Sequence, residues 1–140
     1  MKVMKKLCIP FVLAFILMSC SEPATSDFTT KQVYSFRVKA TDWIEKADNA
    51  GLNKFYSASF SINGLNSYIY DEGSVTTYMV YSNYQQVLPY TRHYENFNGQ
   101  KWSRTIDFDF SVKNIVFYVT NSDFDKDPPE EMYFRVVLMW

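Results

Sequence analysis

The chain has 140 residues with 26 aromatic side chains (12 Phe, 11 Tyr, 3 Trp), 4 Gly and a formal net charge of −1. This richness in rings excludes a disordered tail, and the short length excludes a multidomain enzyme. If the first 19 residues are removed, Lys2, Lys5 and Lys6 go with them and the charge becomes −4, which leaves no basic footprint for nucleic acid.

The chain opens MKVMKKLCIPFVLAFILMSC. Three lysines, the apolar run Leu7 to Met18 and the small Ser19 form the basic, hydrophobic and cleavage regions of a secretory signal peptide over residues 1–19. Twelve apolar residues as a helix span only about 18 Å, well short of a hydrocarbon core of about 30 Å. Leu17-Met18-Ser19-Cys20 resembles the bacterial lipobox. That resemblance implies cleavage before Cys20, a diacylglycerol thioether on its sulfur and a further acyl chain on the new amino group. Two or three acyl chains hold a protein on a membrane where one alone binds marginally. With Cys8 in the signal and Cys20 acylated, the mature domain keeps no thiol, so disulfides and cysteine-based metal or redox sites are excluded.

Residues 20–32 read as the lipidated cysteine and a polar tether containing Pro23. Ser21 after the cysteine resembles the sorting pattern that implies the outer membrane, facing either the periplasm or the exterior. From Val33 to Trp140 the sequence alternates apolar and polar residues with a period of two, the signature of half-buried strands. Seven strands are expected. The first carries Tyr34, Phe36 and Val38 on one face, the second Tyr56, Ala58, Phe60 and Ile62, and the third Val75, Thr77, Met79 and Tyr81. A short helix is expected around Leu65 to Asp71. The fourth strand, Val87 to Tyr94, contains Pro89 and reads as an edge or a bulge. Asn98-Gly99 then suits a tight antiparallel turn into the fifth strand, with Trp102, Arg104, Ile106, Phe108 and Phe110 on one face. Ile115 to Val119 makes the sixth strand, and Met132, Phe134, Val136 and Leu138 mark the seventh. Such spacing predicts an all-β fold, a two-layer antiparallel sandwich with an immunoglobulin-like Greek key as the first choice and a jelly roll or small barrel as the alternative.

Constellations for catalysis are thin. His93 is the single histidine, and its neighbours form no nucleophile elbow or zinc motif, so it reads as a strand-surface residue. Asp107 and Asp109 share the polar face of the fifth strand; they are the carboxylate pair for a hydrolase, but their setting reads as a solvated face. Asp123, Asp125 and Asp127 superficially resemble a calcium loop, yet Pro128 and Phe134 stand where that loop needs Gly and Glu. No cofactor or metal is expected, and no enzyme activity. Trp43, Tyr70, Tyr78, Tyr84 and Tyr133 are the candidate ligand-binding aromatics, since Tyr and Trp suit sites where one edge stays wet.

Three runs carry a further resemblance: Tyr78-Met79-Val80-Tyr81 through Val87-Leu88-Pro89-Tyr90, Thr105-Ile106-Asp107-Phe108-Asp109-Phe110, and Phe134-Arg135-Val136-Val137. Over Thr76 to Val137 the chain resembles small uncharacterised lipoproteins of Bacteroidetes. The resemblance implies a secreted, lipid-tethered β domain and brings no catalytic residues with it. The expectation is a non-enzymatic module of the cell envelope that binds glycan or an envelope protein. Two rivals stand beside it: an accessory subunit pairing through an exposed edge, with the last strand as the candidate, and a small hydrolase.

Overall fold

The period-two alternation becomes strands because it gives each segment one apolar face to bury. The computed structural model describes residues 30–124 and 128–140. Among them are nine strands: β1 (Lys31–Val38), β2 (Ile44–Ala47), β3 (Lys54–Ser61), β4 (Ser74–Val80), β5 (Gln85–Val87), β6 (Tyr90–Glu95), β7 (Lys101–Ser111), β8 (Asn114–Asn121) and β9 (Met132–Met139). They form two antiparallel sheets, one ordered β1-β9-β4-β5 and the other β2-β3-β8-β7-β6. The fold is the expected all-β sandwich.

Aromatic side chains weld the layers together. Phe117 of β8 stacks on Phe134 of β9 with ring centroids 4.1 Å apart and planes 9° apart. Phe36 of β1 meets Phe60 of β3 at 5.0 Å, and Trp43 sets an edge against Phe134. Met132, Phe134, Val136 and Leu138 of β9 are all buried, as their alternation requires. Each fully buried side chain of this size contributes about 1.5–3 kcal/mol, so the layers cohere without a cross-link.

The structure adds two strands to the seven read from the alternation. Every residue of β2 is exposed and β5 has three residues, so neither carries an apolar row for the alternation to reveal. The expected fourth strand is divided at the cis Leu88–Pro89 bond. Val87 still pairs with Tyr78 of β4, whereas Tyr90 pairs with Ile106 of β7 in the other sheet. Pro89 has no N–H to offer a ladder, which makes it a natural point for the chain to change sheets.

The strand order also departs from the immunoglobulin one, which places its first and last strands in different sheets. Here β1 and β9 pair along eight residues, and Thr30 and Trp140 extend the ladder with reciprocal backbone hydrogen bonds of 2.8 and 3.0 Å. The last strand, expected as a free edge, therefore lies between β1 and β4 with its backbone groups engaged on both sides. Edge positions in the two sheets belong instead to β1, β5, β2 and β6. The β1 ladder begins at Lys31, so Lys31 and Gln32, read as tether, belong to the sheet.

The helix α1 (Ser67–Glu72) forms where expected. Asn66 caps it, its side chain accepting from the Ile69 N–H at 2.9 Å, and Ile69 and Leu65 are buried beneath. Gly73 ends it against the main chain: a Cβ there would come within 2.9 Å of the Met139 carbonyl oxygen. No helix among the described residues is long and apolar enough to cross a membrane.

Candidate ligand-binding cleft

The β6–β7 hairpin forms one wall of a broad concavity. Asn98-Gly99 sits at its tip, but the loop runs from Asn96 to Gln100, because Glu95 pairs with Lys101. Asn96 organises this loop: its Oδ1 accepts from the Asn98 and Gln100 N–H groups, each at 3.0 Å. Gly99 supplies the left-handed backbone, with φ of 76°. This register sets Tyr94 directly opposite Trp102. Their rings stack with centroids 5.4 Å apart and planes 14° apart. Both are half-buried, which leaves part of each ring to solvent.

Beside the pair, Arg104 is held from three sides. Its Nε donates to Asn121 Oδ1 at 2.9 Å, its Nη1 lies 3.2 Å from Glu130 Oε2, and its guanidinium carbon stands 5.9 Å from the Tyr94 ring centre. Asn121 is 8% exposed, so the inner tether is shielded from water while Glu130 forms the wet rim. Trp102, Arg104, Asn121 and Glu130, with Asn96, Gln100, Lys101, Asp123 and Pro128, line a cavity of about 830 Å³. The volume lies in the range of small-molecule sites. On the other side of the hairpin, His93, Tyr94, Glu95, Ser103 and Ser122 line a shallower hollow of about 440 Å³ that shares Lys101 and Trp102.

The cleft's chemistry is that of a polar ligand with a flat apolar face. The stacked rings offer a platform, the guanidinium and the Asn96 and Gln100 side chains supply donors, and the amide oxygens and Glu130 supply acceptors. Arg104 is pre-oriented by Asn121, so little rotamer freedom remains to be lost when a ligand binds.

The aromatics expected at a binding site are scattered. Trp43 is 6% exposed, and its Nε1 donates to the Glu130 carbonyl at 3.3 Å, so it supports the floor of the sandwich and offers no platform. Tyr70 on α1 meets Phe110 at the pole away from the hairpin. Tyr78 and Tyr133 lie on the outer face of the β1-β9-β4-β5 sheet, each under an arginine: Arg135 at 5.8 Å and Arg37 at 5.9 Å. Glu131 joins this face, bound by Arg37 at 2.8 Å and by the Tyr133 hydroxyl, and these donors hold its carboxyl below the ordinary range. Tyr84 stands in the β4–β5 turn, stacked on Tyr81.

Asp107 and Asp109 lie on the outer face of the second sheet, opposite Tyr118 and Val116 of β8. The expectation of a fully solvated pair needs correcting for Asp107. It is half-buried, and its Oδ1 has no hydrogen-bond partner; burial first, then the charge of Asp109, pushes its carboxyl above the ordinary range. Tyr118 of β8 stands directly opposite Asp107 in the ladder. His93 is exposed on β6, its Nδ1 2.8 Å from Ser103 Oγ. Of the proposed calcium ligands, Asp125 and Asp127 lie outside the described residues, as do the signal region and Cys20. Among the described residues no cluster of His, Cys, Asp and Glu is arranged to hold a metal.

Trp102, which lines the cleft, and Tyr94 stacked on it are absent from the candidate ligand-binding aromatics read from the sequence. A signal existed in the Asn98-Gly99 turn, but a two-residue loop there would set Tyr94 opposite Ser103, and a slip of one residue exchanges faces. Comparison with protein-family models, curated proteins and solved structures finds no match for this chain.

Proposed function

We propose that this chain is a lipid-anchored domain of the bacterial cell envelope, acylated at Cys20, that binds glycan at the Trp102 cleft without transforming it.

 The observation that carries this reading is Trp102, stacked on Tyr94 and lining a polar cavity beside a guanidinium held in place by Asn121. Sugars present a flat C–H face flanked by hydroxyls, and a ring platform bordered by fixed donors and acceptors matches both parts. The envelope location follows from the basic, apolar and small-residue regions of residues 1–19 and from the lipobox-like Leu17-Met18-Ser19-Cys20. Binding without catalysis fits the placement of Asp107 and Asp109, which lie on an outer sheet face and do not line the cleft.

A glycan array probed with the protein, followed by calorimetry on the best hit, tests the cleft. Trp102→Ala is expected to weaken that binding at least tenfold while leaving the unfolding midpoint within a few degrees. A blank array, or a hit whose affinity is unchanged by Trp102→Ala, would refute the cleft as a glycan site. Intact-mass spectrometry of natively produced protein tests the anchor: an acylated chain beginning at Cys20 is expected, and a full-length unacylated chain would overturn it.

A further inference from the structure

The ring platform continues beyond Trp102. Tyr90, Arg92 and Tyr94 stand at every second residue of β6 and so share a face, spanning about 13 Å at about 3.3 Å per residue. Tyr90 packs against the core, which roots the row, and Tyr94 carries it to Trp102. At the other end the β4–β5 turn brings in Tyr81 and Tyr84, stacked with centroids 4.3 Å apart and planes 20° apart. Tyr84 is 49% exposed, and its turn lines a hollow of about 480 Å³. Arg92 joins the two ends. Its guanidinium carbon stands 5.3 Å from the Tyr90 ring centre, and Tyr84 and Tyr94 are close enough to act on its charge. Two stacked ring pairs therefore flank one arginine.

Arg92 differs from the other arginines described. Arg37 and Arg104 each face a glutamate, and Arg135 donates to Gln85. The groups acting on Arg92 are the phenols Tyr90, Tyr84 and Tyr94, and no ion pair engages it among the described residues. It is exposed, permanently charged and set over the Tyr90 ring. A guanidinium so placed presents its planar fork to a carboxylate or a sulfate.

We propose that the row Tyr84, Tyr81, Arg92, Tyr94 and Trp102 is a track for an acidic oligosaccharide longer than one sugar unit, with sugar faces on the two ring pairs and a carboxylate or sulfate at Arg92. This rests on the reading of the Trp102 cleft as a glycan site and names the class of glycan.

Calorimetry on the full chain in detergent, with three hexasaccharide probes, tests it: an oligogalacturonate, a sulfated galactan fragment and neutral cellohexaose. At least one acidic hexamer is expected to bind tenfold or more tightly than the neutral one, by a margin that shrinks as salt is added. Whether the carboxylated or the sulfated probe is preferred identifies the anion. Arg92→Gln is expected to erase the preference and leave neutral binding in place, Arg92→Lys to retain part of it, and Trp102→Ala to weaken every probe. Equal affinity for acidic and neutral hexamers, or a preference that survives Arg92→Gln, overturns the acidic track while the cleft itself stands. Silence toward all three hexamers also overturns the track, and the glycan array then decides the cleft separately.

Discussion

The two tethers of Arg104 differ enough in setting to be told apart by substitution. Asn121→Ala removes the acceptor that meets Nε at 2.9 Å, at a position 8% exposed. Hydrogen bonds to charged groups contribute about 1.5–3 kcal/mol, and an acceptor lost from a shielded site is not readily replaced by water. The Arg104 side chain is 21% exposed, so the cost falls in that range, about 2 kcal/mol. Glu130→Ala removes an ion pair whose carboxylate side is 67% exposed, with Nη1–oxygen distances of 3.2 and 3.4 Å. Exposed pairs contribute about 0–1 kcal/mol, and salt screens them further. Urea unfolding of the wild-type protein and both variants measures the difference. Asn121→Ala is expected to lower the midpoint with an unchanged slope, and Glu130→Ala to move it by less than about 0.5 kcal/mol. A Glu130→Ala cost equal to or above that of Asn121→Ala would refute the view that the buried amide orients the guanidinium.

Two further substitutions address polar groups that the fold buries without partners. Thr77 is fully buried in β4 and its Oγ1 has no hydrogen-bond partner, so Thr77→Val, which keeps the shape, is expected to stabilise the protein by about 1 kcal/mol in the same assay; a loss of stability would show that the hydroxyl is satisfied in solution. Asp107 has a folded carboxyl raised above its unfolded value, so its favourable contribution is present at low pH and is lost as pH rises through the raised value. Asp107→Asn should therefore gain up to about 1 kcal/mol at pH 7, discounted for its half-exposed setting, and gain nothing at pH 3. Chemical denaturation at both pH values checks this, and a gain that does not depend on pH would exclude the charge as its cause.

The alternation made most of the sandwich legible, because a strand with one buried face must write that face into every second residue. Met132, Phe134, Val136 and Leu138 are the clearest case, and all four are buried. What the alternation could not convey was neighbourhood. Whether β9 is an edge or an interior strand depends on which ladder closes first, and β1 and β4 both close on it. Short edge strands such as β2 bury nothing and leave no row to read. Two of the tryptophans show the same limit at the candidate site. Trp43 follows a single turn of 3-10 helix, Ala40–Asp42, whose direction no periodicity announces, and it ends in the core. Trp102 shares the alternate row of the buried Ile106, but it stands near the hairpin end of β7, where it is half-buried and lines the cleft.

The pairing of Thr30 with Trp140 gives the molecule a top and a bottom. β1 runs from Lys31 to Val38 toward the hairpin pole, and at about 3.3 Å per residue its eight residues separate the point of chain entry from the cleft by about 26 Å. Any mooring upstream of Thr30 thus holds the domain by its base. On the proposed anchoring at Cys20, Trp102 and Arg92 would face away from the bilayer, and a polymer in the surrounding space would meet the open rings before the lipid.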